Sequence, residues 1–173
     1  MAGARVFVDT NVIIEAHRVG CWNAICGSFS IETVEKCIKE SASGNPDKPG
    51  WVHVPEGELR GRLTRVHQVS KAEIAALVLS NAACYVLDDG EQQLFARLYA
   101  DKILPSQEIL VSTPDKAAII AAHDLGWLES WTSLDALART AGVGRAILSR
   151  LRTQYQDGWL SSIKTKVILG ALT

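Results

Sequence analysis

Short apolar runs alternate along the chain with stretches in which apolar residues recur at helical spacing. Arg5 to Val8 reads as a buried strand and Asn11 to Arg18 as a helix. Ser30 is placed to cap a helix running to about Ser41, because Ile31, Val34 and Ile38 keep helical spacing. Residues 43–50, rich in Gly, Asn and Pro, read as a loop. Ser70-Lys71-Ala72-Glu73 is a capping-box pattern that opens a helix through Leu79. Cys84 to Leu87 reads as a strand, Asp89 as the cap of a helix from about Gly90 to Ala100, and Ile109 to Val111 as another strand. Thr113-Pro114 then supplies the cap and first residue of a helix that ends before Gly126.

That alternation predicts an α/β fold: a parallel sheet with helices on both faces. From Ser133 the pattern is helical, with Leu134, Leu137, Ala138, Val143, Ile147, Leu148 and Leu151 apolar and Gly142 between two helical stretches. The expectation is a domain over 1–132 with a helical extension over 133–173 packed on it. Val167 to Leu172 is apolar enough for an edge strand or a partner surface.

Composition narrows the class. A chain of 173 residues is long enough for a full core, and 47% apolar with 21% charged residues is ordinary for a globular protein. The net charge of −1 makes no case for nucleic acid, but local segments do. Arg60, Arg62, Arg65 and Lys71 fall in an acid-free stretch, and six cations from Arg139 onward face only Asp157. Such segments either track a phosphate backbone or form a solvated face. With no secretion signal and no apolar run of transmembrane length, the expected location is the cytoplasm, away from membranes. Cys21, Cys26, Cys37 and Cys84 lack paired spacing and read as reduced.

The candidate chemistry lies in four carboxylates near expected strand ends and helix starts: Asp9, Glu35, Glu91 and Asp115. The carboxyl ends of parallel strands open on one crevice. Acids gathered there repel one another unless a cation compensates, and a divalent metal is the usual one. Each acid also has a plainer explanation. Asp9 can cap a helix, Glu35 can sit on a solvated rim, and Glu91 and Asp115 can favour a helix N-terminus. Glu35 flanks the Ile31/Val34/Ile38 stripe, whereas Glu32 and Glu40 point further out. Glu91 precedes Leu94, Phe95 and Leu98 by three, four and seven residues, so it lies on an apolar stripe where an unpaired charge is costly. Asp88 and Asp89 are alternatives from the same turn.

At these positions the chain resembles the PIN-domain ribonucleases. The resemblance rests on strand-then-Asp-Thr-Asn at Val6 to Asn11, on Glu35, on Gly90-Glu91, and on the strand, Thr113, Asp115 and Ala-rich helix of Ile109 to Gly126. It covers roughly residues 5 to 137. It implies a magnesium- or manganese-dependent endoribonuclease acting on single-stranded RNA. It also implies a VapC-like toxin held by a protein antitoxin, although this chain is longer than such toxins around 51–80 and after 133. A homodimer is a further option. On this reading Asp9 and Asp115 hold the metal directly, Glu35 and Glu91 hold its water or a second ion, and Asn11 and Thr113 orient the carboxylates.

A competing reading comes from residues 133–151, which look like a helix-turn-helix with Gly142 at the turn and a basic second helix. That would make the protein a DNA-binding or regulatory one with a non-catalytic PIN-like domain.

Overall fold

The computed structural model describes residues 3–172. In chain order the elements are β1 (Arg5–Val8), α1 (Thr10–Val19), α2 (Trp22–Ser28), β2 (Ser30–Val34), α3 (Glu35–Ala42), α4 (Glu56–Arg62) and β3 (Arg65–His67). There follow α5 (Lys71–Ser80), α6 (Asp89–Asp101), β4 (Ile109–Ser112), α7 (Lys116–Asp124), α8 (Leu134–Thr140), α9 (Arg145–Leu148) and α10 (Asp157–Ile168). The four strands form one parallel sheet in the order β3-β2-β1-β4. The protein is therefore α/β, with a parallel sheet flanked by helices. The chain builds outward from β1 to β2 and β3, then returns to the other side of β1 as β4. The switch in direction falls between β1 and β4, which places a crevice beyond their carboxyl ends.

Val6, Phe7 and Val8 are fully buried, as a central parallel strand covered on both faces requires. β2 shows why its residues read as a helix. Ile31, Glu32, Thr33 and Val34 are all buried, so the strand has no polar-apolar alternation to display. The charge of Glu32 is met from both neighbouring strands. Arg5 donates to it at 2.6 and 3.1 Å, and the His67 ring nitrogen Nε2 lies 2.6 Å away. The helix begins only at Glu35, and Ser30 starts the strand instead of capping anything.

Other expectations need correction. Residues 84–87 form no strand: 82–86 is a 3-10 turn with Tyr85 and Val86 exposed. One edge of the sheet is β3, inside the basic stretch, where exposed Arg65 suits a strand with one open side. Asp88, not Asp89, caps α6, its Oδ1 accepting from the Glu91 amide at 2.8 Å. Asp115, not Thr113, caps α7. Residues 167–168 end α10, so no strand forms there, and Ile168 and Leu169 are exposed. The Ser70/Glu73 capping box forms as its pattern predicts.

The C-terminal segment shares the core through Leu134, Leu137, Leu151, Tyr155, Leu160, Ile163 and Val167. The expected second helix of a helix-turn-helix is a single turn, Arg145–Leu148, with no buried residue. One turn rises about 6 Å and cannot lie along a major groove about 12 Å wide. The buried carboxylate of Glu15 ties this segment to α1. It accepts two bonds from Arg18 (2.7 and 2.6 Å) and one from the Arg152 amide (2.9 Å), while Arg18 also donates to the Arg150 carbonyl. Glu15→Ala leaves these donors unpaired and is expected to cost about 1–2 kcal/mol. Urea denaturation checks this, and an unchanged midpoint would show that the apolar contacts alone hold the extension.

Among the described residues no helix is long and apolar enough to cross a membrane. The four cysteines are unpaired, three of them buried.

Candidate functional site

The β1–β4 junction is joined by the Asp9 amide, which donates to the Ser112 carbonyl at 3.3 Å. Each strand therefore ends at the same level, and the next residues, Asp9 and Thr113, face the switch point. Asp9 caps α1: its Oδ1 accepts from the Val12 amide at 2.8 Å. Capping occupies only that oxygen. Oδ2 accepts from the Thr113 hydroxyl at 3.0 Å and lies 3.5 Å from Asn11 Nδ2. Asp9 is 1% exposed.

Glu91 arrives from α6, at the end of its apolar stripe with Leu94, Phe95 and Leu98, and is 3% exposed. Its Oε1 lies 3.0 Å from the same Thr113 hydroxyl. One hydroxyl carries one proton, so it cannot donate to two ionised carboxylates. Burial pushes the Glu91 carboxyl up to about 9, reinforced by the charges of Asp9, Asp115 and Asp88. Burial also raises Asp9, to about 7, against the bonds from Val12 and Thr113. Glu91 is then the group that holds the proton at neutral pH. It donates to Thr113 Oγ1, and Thr113 donates to Asp9.

Asp115 caps α7 by accepting from the Ala118 amide at 3.1 Å, and its own amide lies 3.4 Å from Thr113 Oγ1. Its charge and that of Asp88 act on Glu91, which ties both to the crevice. Glu35 is oriented differently. It pairs with Arg60 on α4 at 2.5 and 3.0 Å, and this guanidinium holds its carboxyl below the usual range. The structure thus brings Asp9, Glu91, Thr113 and Asp115 to one crevice and turns Glu35 toward α4.

Two residues that the sequence pattern placed elsewhere approach the crevice. Glu40 accepts from the Thr10 hydroxyl at 2.8 Å and lies so close to Gly90 that a Cβ there would stand 2.6 Å from its Oε2. Thr10 follows Asp9 and Gly90 precedes Glu91, so Glu40 packs between the neighbours of both site acids. Lys36 pairs with Glu40 at 3.6 Å and with Asp89 at 3.4 Å. Glu40 follows Cys37 by three residues on the inward side of α3, a signal obscured by starting that helix at residue 30. The second is Tyr155, from the C-terminal extension. Its hydroxyl is pushed up by burial and by the charge of Asp9. No short-range sequence signal links residue 155 to residue 9.

Gly90→Ala tests the Glu40 contact. Alanine favours a helix by about 1 kcal/mol over glycine. The clash with Glu40, Cys37 Sγ and Thr10 Oγ1 should outweigh that and destabilise by about 1–2 kcal/mol. A more stable variant in urea denaturation would mean that Glu40 moves aside freely.

The donor set is all oxygen, which suits a hard cation. Cys37, close to Asp9 and Thr10, is no thiolate ligand, because burial pushes its thiol up to about 12. Among the described residues no group of three or more His, Cys, Asp or Glu side chains forms a cage that could hold a metal ion. Such a cage is not what magnesium needs: one or two carboxylates, water and a substrate phosphate usually complete its shell. Asp9 and Glu91, held on one hydroxyl, fit that pattern. No protein-family model, curated protein or solved structure matches the chain.

Proposed function

We propose that this protein is a divalent-metal-dependent ribonuclease that hydrolyses phosphodiester bonds of single-stranded RNA, in the manner of the PIN-domain enzymes its acids resemble. The observation that carries the reading is the pair of buried carboxyls of Asp9 and Glu91 on either side of the Thr113 hydroxyl, at the topological switch of a parallel sheet. Buried carboxyls so close to each other are costly for folding and pack no better than apolar side chains. Their placement makes sense if a cation takes over from the proton on Glu91.

Asp9 and Glu91 would hold magnesium or manganese, with Asp115 and Asp88 adding negative charge nearby. When bound, such an ion supplies Lewis acidity toward a phosphoryl oxygen and toward water. The chain's own residues supply the rest. The Val12 amide and Thr113 hydroxyl fix the rotamer of Asp9, and the α6 helix start fixes Glu91. Val12 and Leu94, each three residues along the helix from its acid, are buried.

The test is a cleavage assay on single-stranded RNA with added manganese, repeated with EDTA and with duplex RNA. Single-strand cleavage that chelation removes supports the reading. Cleavage that persists in EDTA, or none at any manganese concentration, refutes it.

A further inference from the structure

A second site lies away from the acids, in a cavity of about 570 Å³ between α1, α2 and α4. Its chemistry comes from His17, Trp22, Asn23, Glu58 and Arg62, with Gly61 opening the floor. The volume is that of pockets that take small organic ligands.

Three observations argue that this space is built for a ligand. First, the polar groups around it are not satisfied by one another. Glu56 and Arg60 pair on α4 at 2.8 Å, yet Glu58 and Arg62, with the same four-residue spacing on the same helix, form no ion pair among the described residues. Second, the His17 ring has its Nδ1 on the Ile13 carbonyl at 2.7 Å and stacks on Trp22 at 5.1 Å. Burial lowers its pKa, so the ring is neutral, Nδ1 carries the proton, and Nε2 is left as a fixed acceptor. Third, Gly61 has no structural reason to be glycine. It lies in a helix, its backbone is not in the left-handed region, and a Cβ there would meet nothing within 4 Å. Glycine inside a helix costs about 0.5–1 kcal/mol relative to alanine. What its missing side chain does is keep the cavity open.

The groups specify the ligand. Arg62 offers a forked donor to a phosphate. One turn away, the Glu58 carboxylate presents two parallel acceptors, which match two adjacent N–H donors on one edge of a planar ring. Guanine has that edge in its ring N1–H and exocyclic amino group, whereas adenine presents an acceptor at N1. We propose that this cavity binds a guanosine monophosphate unit, base on Glu58 and phosphate on Arg62. Such a unit comes either from a free nucleotide or from a guanosine within single-stranded RNA.

Isothermal titration in EDTA with the Asp9→Asn protein separates this proposal from the nuclease reading, because no cleavage is involved. The probes are GMP, AMP and the tetranucleotides UUGU and UUAU. GMP is expected to bind with a Kd of about 10 μM to 1 mM and at least about fivefold more tightly than AMP. Glu58→Gln should remove that preference, Arg62→Ala should weaken GMP about tenfold, and Gly61→Leu should abolish binding. Both charged residues are exposed, so these variants keep the fold. UUGU binding at least tenfold tighter than GMP assigns the site to an RNA strand, and equal binding assigns it to the free nucleotide. Failure of GMP and UUGU to bind overturns the proposal. So does equal affinity for GMP and AMP, or binding that survives both Gly61→Leu and Arg62→Ala. Cleavage of RNA in the separate manganese assay is untouched by any of these results.

Discussion

Asp9→Asn is expected to lower manganese-dependent cleavage of single-stranded RNA by about a thousandfold or more, the scale on which charge stabilisation at a reacting centre is lost. The substitution keeps the shape. Asparagine still presents an oxygen to the Val12 amide, so α1 keeps its cap. It removes the charge that a cation needs, together with the acceptor that Thr113 orients. The metal-free variant should also be slightly more stable than the parent above pH 7, because the parent buries an ionising carboxyl there. Loss of cleavage with a retained circular dichroism spectrum and melting temperature is the expected pair of results. Cleavage within threefold of the parent would remove Asp9 from the chemistry.

The second large effect concerns Glu91 and pH. In the metal-free folded protein its carboxyl is raised to about 9, and Asp9 to about 7, above their ordinary values of 4.5 and 3.8. The folded state therefore holds these protons more tightly than the unfolded chain does. Their contribution to stability is full below about pH 4 and is lost as pH rises toward 9. The carboxylates of Glu15, Glu32, Glu35 and Glu73 are lowered by their partners, chiefly Arg18, Arg5, Arg60 and the Ser70 amide. Their contribution runs the other way: present above about 4.5 and lost as pH falls. Metal-free stability is expected to peak near pH 5 and to decline by about 2–4 kcal/mol by pH 9. Glu91→Gln should flatten most of that decline while weakening manganese binding by about 10- to 100-fold. Urea midpoints from pH 5 to pH 9, with and without manganese, give both quantities. If Glu91→Gln keeps the parent's alkaline decline and its manganese affinity, the assignment moves to Asp88 or Asp115.

The sequence alone determined the class of the fold and singled out three acids, Asp9, Glu91 and Asp115, that the structure brings to one crevice. Buried runs such as Val6 to Val8 and Ile109 to Val111 are short and sit between helical stretches, and that spacing permits little besides an α/β sheet. Asp9 and Glu91 were legible because each places a carboxyl where local burial is already dictated, after an apolar strand or on an apolar stripe. Asp115 was legible as a residue near the crevice, although its helix begins two residues later than the Thr-Pro pair suggests.

Tertiary structure decided the rest. Whether 31–34 is strand or helix depends on two neighbouring strands supplying Arg5 and His67 to a buried Glu32, and no local pattern carries that information. The exchange of Glu35 for Glu40 follows from it: once the helix starts at Glu35, Arg60 captures that acid and Glu40 turns toward Thr10 and Gly90. The basic stretch likewise resolved into an edge strand and a helix whose Arg60 is already neutralised, while Arg62 has no ion pair among the described residues. Joining residue 9 to residue 113 through one hydroxyl needs strands 104 residues apart to lie side by side. Periodicity reports the environment of a residue along its own element, whereas partners across elements exist only after the chain has folded.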